Sequence, residues 1–200
     1  MTDFLGYIEA GSQAYAEGQY AQGGKIFLTA LREARRVNLK DASLTIILHQ
    51  LAHFYYHQKK YKKAAVCLGK ALIHCESLSG RNTTQVSQLL KRLAEIYELD
   101  HRYERAEAMY KRSMQIDQRL HLTNNTELAQ QMLKLAWLNS MQRNFDQAQY
   151  YLEEALKLKT SLTGGTTSIH KFAQNQLAQK IANKQSLQLD TLSDDLLNVV

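Results

Sequence analysis

Apolar residues along this chain return at steps of three and four. Leu44, Ile47, Leu48, Leu51, Ala52 and Tyr55 form one series; Val86, Leu89, Leu90, Leu93, Ala94 and Tyr97 form another. Side chains three and four apart share one side of a helix, so each series draws an apolar stripe down a helical face. A short polar turn then intervenes, Gln58-Lys59-Lys60 in one case and Asp100-His101-Arg102 in another. An aromatic residue opens the next apolar series each time, at Tyr20, Tyr61, Tyr103 and Phe145. The pattern therefore predicts helices in pairs, a first and a second. Longer breaks at 79–83, 122–126 and 163–167 separate the pairs and are rich in Gly, Asn and Thr. Gly or Asn there can take the left-handed conformation that ends a helix, and Asn or Thr can cap the next.

The pairs repeat. Leu51-Ala52, Tyr55, Tyr61 and Ala64 align with Leu93-Ala94, Tyr97, Tyr103 and Ala106, and again with Leu135-Ala136, Asn139, Phe145 and Ala148, at intervals of 42 residues. Upstream, Gly11, Ala14, Gly18, Tyr20, Gly23 and Phe27 keep the pattern at an interval of 41, and downstream Leu177, Ala178, Ile181 and Leu187 continue it at 42. Small residues at fixed intervals let two antiparallel helices cross closely. Self-similarity at such a period marks a stacked solenoid, each unit burying its apolar face against its neighbours. The units are expected at about 4–38, 41–79, 83–121 and 125–163, with a partial fifth at 167–186. Together they make one repeat domain, 1–186, followed by a tail or degenerate cap, 187–200. In that last stretch Asp190 stands where other units place Gly or Ala, and Asp194 where they place Phe, Leu, Tyr and Leu. The expectation is a capping helix over 168–184, with 190–200 loosely ordered or packed on another chain, so that self-association would run through this end.

The run Leu93-Ala94-Glu95-Ile96-Tyr97, then Arg102-Tyr103-Glu104-Arg105-Ala106-Glu107, then Tyr110-Lys111-Arg112-Ser113-Met114 resembles a tetratricopeptide repeat. The long unit is similar to the kinesin-light-chain type, and the resemblance spans roughly Phe4 to Leu187. It implies an all-α, right-handed superhelical solenoid of antiparallel helix pairs, whose first helices line a concave groove that holds a peptide or a partner's helix. The chain departs from the family in having no proline at all, where a proline often follows each second helix. Gly/Asn/Thr loops stand in its place, which affects the angle between units more than the fold.

If first-helix positions away from the second helix line that groove, three columns cross the units. They are Ile8, His49, Lys91, Leu133 and Asn175; Ser12, His53, Glu95, Trp137 and Gln179; and Ala16, His57, Leu99, Met141 and Asn183. The surface so drawn passes from histidine, through a charged pair, to an apolar Leu133/Trp137/Met141 patch and then to amides. The candidate partner-binding residues are His49, His53, His57, Lys91, Glu95, Leu133, Trp137, Met141, Asn175 and Gln179. The bland alternative is a solvated face whose uneven polarity means nothing. Some family members grip a C-terminal carboxylate with Lys, Asn and Arg in these columns. Here only Lys91 fits, because Ser12, His49, His53 and Glu95 replace the rest, so an internal segment or a folded partner is expected instead.

His49, His53 and His57 stand at i, i+4 and i+8, and two imidazoles four apart can hold a metal. No carboxylate lies between them in the manner of a hydrolytic zinc helix. They are read as groove residues near an ordinary pKa of about 6.5, some of which charge in mild acid, or else as structurally buried side chains, with no metal and no cofactor assigned. Cys67 and Cys75 lie eight apart on one helix, roughly 12 Å by helical rise, and cannot bridge each other. No nucleophile, base and orienting group come together, so catalysis is not expected. Nor is there an apolar run near eighteen residues or a charged-then-apolar leader at the start, and cytoplasmic residence is expected. The charge is +6, from 25 basic and 19 acidic residues. Lys59, Lys60, Lys62, Lys63, Arg102, Arg105 and Arg143 gather near the turns, which opens a second reading, a basic ridge meeting nucleic acid. Acidic residues such as Glu104, Glu107 and Asp146 interrupt that ridge and rank the reading below protein binding.

Overall fold

The computed structural model describes residues 4–122 and 124–163, with side chains up to 158. The described residues form eight α-helices and no strand: α1 (Phe4–Ala16), α2 (Tyr20–Arg36), α3 (Ala42–His57), α4 (Tyr61–Ser79), α5 (Thr84–Leu99), α6 (Tyr103–Arg119), α7 (Asn125–Met141) and α8 (Phe145–Thr163). The partial fifth unit, the capping helix over 168–184, the tail and the candidates Asn175 and Gln179 lie outside the described residues. The chain divides into two compact units, Met1–Thr123 and Asn124–Val200.

In the first unit α1 packs on α2, α3 on α4 and α5 on α6; α2 then packs on α3, α4 on α5, and α1 touches α3. The core threads through all three pairs, from Phe27 and Ala30 through Ile47, Leu51, Leu68 and Leu90 to Ile116. Glycine makes two of the crossings possible. A Cβ on Gly11 would overlap the Phe27 ring, and one on Gly24 would overlap Phe54. In the second unit α7 packs on α8, burying Ala129, Leu135, Ala136, Leu138, Ala148 and Ala155.

The turn inside each pair has one recurring geometry. Gly18, Lys59, His101 and Arg143 adopt positive φ of 75°, 56°, 57° and 64°. At each, two backbone bonds close the helix end, as Lys59 N–H donates to Tyr56 O at 2.8 Å and Lys60 N–H to Tyr55 O at 2.9 Å. This is a Schellman motif, which satisfies carbonyls the helix would otherwise orphan. Between pairs the left-handed residue is Asn38, Gly80 or His121, with φ of 53°, 85° and 53°. In the break at 122–126, therefore, His121 ends the helix and the asparagines do not. Asn124 instead caps α7, accepting from Glu127 N–H at 2.9 Å, as Thr83 caps α5 at Val86 N–H, 3.3 Å, and Asp41 caps α3 at Ser43 N–H, 2.8 Å.

Four buried polar side chains among the described residues interrupt the apolar pattern. Asn139 stands in the column of Tyr55 and Tyr97 and is 1% exposed, its Nδ2 donating to Leu135 O at 2.9 Å. Between α5 and α6, Ser87 donates to the buried Asp117 carboxylate, and the Ser87 and Ser113 hydroxyls lie 2.9 Å apart. Cys67 and Cys75 are both buried free thiols.

Candidate functional site

In the first unit, α1, α3 and α5 present a common face with two adjoining cavities. One, of about 500 Å³, is lined by Ser12 and Tyr15 of α1, His49 and His53 of α3, and Arg92 and Glu95 of α5. The other, of about 570 Å³, includes Thr45, Gln88 and Lys91 and shares His49, Arg92 and Glu95 with the first. The Thr45 hydroxyl is buried there with no hydrogen-bond partner among the described residues. First helices thus supply nearly all of this lining, and Ser12, His53 and Glu95, one column of the sequence, face one cavity.

Around His53 the rings gather. Tyr15 and His53 have centroids 5.4 Å apart, His57 stacks on Tyr20 at 4.0 Å, and the His53 and His57 Nε2 atoms are 3.1 Å apart. That last contact is a hydrogen bond only while one imidazole is unprotonated and accepts. Tyr15 is fixed from behind, its hydroxyl donating to Gln50 O at 3.0 Å, and burial pushes its pKa up. Burial lowers the pKa of His53, and the charges of His57, His49 and Arg92 lower it further. His49 is lowered by burial and then by Arg92. Desolvation disfavours the cation, so His49 and His53 charge less readily than a free imidazole. Among the described residues no three His, Cys, Asp or Glu side chains gather as a metal site.

Lys91 lines the second cavity and is at the same time drawn toward the α5–α6 pair. Its ammonium lies 2.7 Å from the Asp117 carboxylate, which is 3% exposed, so its charge is tied to the α5–α6 polar network. Arg92 is the cation that lines both cavities, and it pairs with Glu95 at 3.1 Å. Leu99, from the third column, is exposed and lines neither cavity. The sequence reading missed Tyr15, Tyr20, Tyr56 and Arg92. The signal for Arg92 was available: it stands 42 residues after Gln50, another lining residue, in a column one position over from His49 and Lys91. The tyrosines were hidden by their resemblance to core positions.

The second unit presents its own face. On α7, Trp137 and Met141 are 43% and 40% exposed and Leu133 is half-buried. The Lys134 ammonium lies 5.8 Å from the centre of the Trp137 ring. Trp137 therefore occupies surface.

Part of the basic ridge is engaged locally. Arg102 pairs with Asp100 at 2.8 Å, Lys60 bonds Gln58 at 2.7 Å, Lys63 lies over the Tyr55 ring at 5.7 Å and Arg105 over Tyr97 at 5.9 Å.

Stacked helix pairs with Schellman turns and a face built by first helices define a helical-repeat scaffold. The chain belongs to the tetratricopeptide repeat family, whose model matches residues 43–119 and 85–161. It resembles the kinesin light chain type within that family. A putative kinesin light chain with nearly identical TPR-like repeats from Podosopora anserina is similar over 97% of this chain and 94% of that one, with 14% identity and a TM-score of 0.72. BtubC (BKLC) from P. vanneervenii is 19% identical with a TM-score of 0.69, over 81% of this chain. This chain spans 65% of the length of BtubC. MamA from Desulfovibrio magneticus RS-1 is 15% identical, over 80% of this chain and 78% of that one, with a TM-score of 0.57. At these identities the likeness is one of fold. The comparison with curated proteins returned no match. Among the described residues no helix is long and apolar enough to cross a membrane.

Proposed function

We propose that the chain is an interaction scaffold that seats an extended or helical segment of a partner protein on the α1/α3/α5 face of its first unit. The observation that carries this reading is the juxtaposition, in one cavity, of exposed aromatic rings with the Arg92–Glu95 pair. Tyr20, His53 and Tyr56 offer flat apolar area with polar edges, and Arg92 offers a forked donor for a carboxylate or a carbonyl. Aromatic anchors beside arginine are the chemistry that concentrates binding energy at interfaces.

In the second unit, Trp137 with Met141 and Leu133 forms an exposed apolar patch of the kind that anchors partners. We assign it as a further contact. The nucleic-acid reading is weakened by the acidic residues within the ridge, one of which, Asp100, pairs with Arg102.

Affinity capture with matched baits tests the proposal. Wild type and His53→Ala/Arg92→Ala should melt within a degree or two of one another at neutral pH, because these two side chains are exposed. The double variant should lose the wild-type partner, and Trp137→Ala should weaken it by ~2 kcal/mol or more. A double variant that retains every wild-type partner at equal occupancy would remove the face from consideration.

A further inference from the structure

A third cavity, of about 570 Å³, opens between α2, α3 and α4. Its floor is apolar, with Leu28, Leu31 and Leu51 beside Val66, which is 57% exposed. Its rim is cationic, with Arg32 and Arg35 from α2 and Lys62, Lys63 and Lys70 from α4. Val66 falls between Lys62 and Lys70 at helical steps of four, so one strip of α4 alternates charge and apolar contact. All five cations are exposed, no carboxylate lines the cavity, and none of the five is in an ion pair among the described residues. Five like charges around one recess repel one another, and an anionic occupant relieves that repulsion. An occupant that also covers the floor must carry large apolar side chains. A nucleic acid answers the cations but leaves the leucines and Val66 in water, and a bilayer needs apolar side chains that protrude rather than a recessed floor.

The required chemistry is written in this chain. Residues 187–200 read Leu-Gln-Leu-Asp-Thr-Leu-Ser-Asp-Asp-Leu-Leu-Asn-Val-Val, with five leucines, two valines, three aspartates and neither lysine nor arginine. The cationic repeat unit and this anionic, leucine-rich stretch are opposite in charge and alike in apolar content. We propose that residues 187–200 of one copy dock in the α2–α4 groove of a second copy, leucines on the floor and Asp190, Asp194 and Asp195 against the rim.

Charge exchange on the full chain tests this by sedimentation velocity over a range of concentrations. The wild type should associate with rising concentration, and added salt should weaken the association by screening exposed pairs. Lys62→Glu/Lys63→Glu/Lys70→Glu and Asp190→Lys/Asp194→Lys/Asp195→Lys should each weaken it by about tenfold or more. An equimolar mixture of the two variants should restore it, because each then meets a complementary surface on the other. The tail substitutions leave every described helix untouched, and the groove variant is mixed only after its helical circular dichroism and melting temperature match the wild type. A wild type that is monomeric at every concentration would overturn the proposal, and so would tail reversal without effect or a mixture that fails to associate. The same holds if the groove proves to bind anionic vesicles or single-stranded RNA without self-association.

Discussion

Lys59 holds a left-handed backbone, φ 56°, at a helix end where glycine would sit without strain. Gly18 already fills the equivalent place in the first pair. Lys59→Gly should therefore raise stability by about 0.5–1 kcal/mol, read as a melting temperature higher by roughly 2 °C. A lower melting temperature would show that the lysine makes a compensating contact. At His49 and His53 the linkage runs through burial. Both have folded-state pKa values held below the 6.5 of a free imidazole, so the unfolded chain takes up protons first as pH falls. Their contribution to stability is full above 6.5 and declines as pH drops through the folded-state values. Thermal melts across pH 7 to 5 should show a falling midpoint, and His49→Gln/His53→Gln should flatten the fall. Wild-type and variant curves of equal slope would contradict this.

At the scale of elements, the α5–α6 pair is held by a polar cluster as well as by leucines. Lys91→Met leaves the Asp117 carboxylate, 3% exposed, without its cation. The expected cost is about 2 kcal/mol of stability, less than for a fully buried pair because Lys91 is partly exposed, and an unchanged melting temperature would contradict it. The helices themselves were legible because three- and four-residue spacing, aromatic second-helix starts and Thr83 or Asn124 caps are local signals. The candidate face was legible only in part. His49, His53, Lys91 and Glu95 sit at its cavities, but one i, i+4 line along each helix is narrower than the face that helix presents, which is why Arg92, beside Lys91, was passed over. Tyr20 was hidden differently: the aromatic that opens each second helix reads as packing, and only its stacking on His57 shows its outer face. Asp117 carried no signal, since pairing across α5 and α6 depends on a helix register that sequence spacing leaves open.

For the whole molecule, the repeat divides labour between columns. Core columns keep Leu, Ala and aromatic residues from pair to pair, and each pair depends on its neighbours for burial. The first-helix face is free to vary, which allows one fold to present His53, Arg92 and Glu95 in one unit and Trp137 in another. Recognition by the α1/α3/α5 face is the central claim, and site-specific photo-crosslinking tests it most directly. A benzophenone side chain placed at Tyr56, in the aromatic cavity, should trap one discrete partner segment in native extract. The same probe at Ile73, which is 70% exposed on α4, should trap none of it, and Arg92→Glu should abolish the Tyr56 adduct. Adducts that form equally well at Ile73, or that persist at Tyr56 when Arg92 is reversed, would contradict the account.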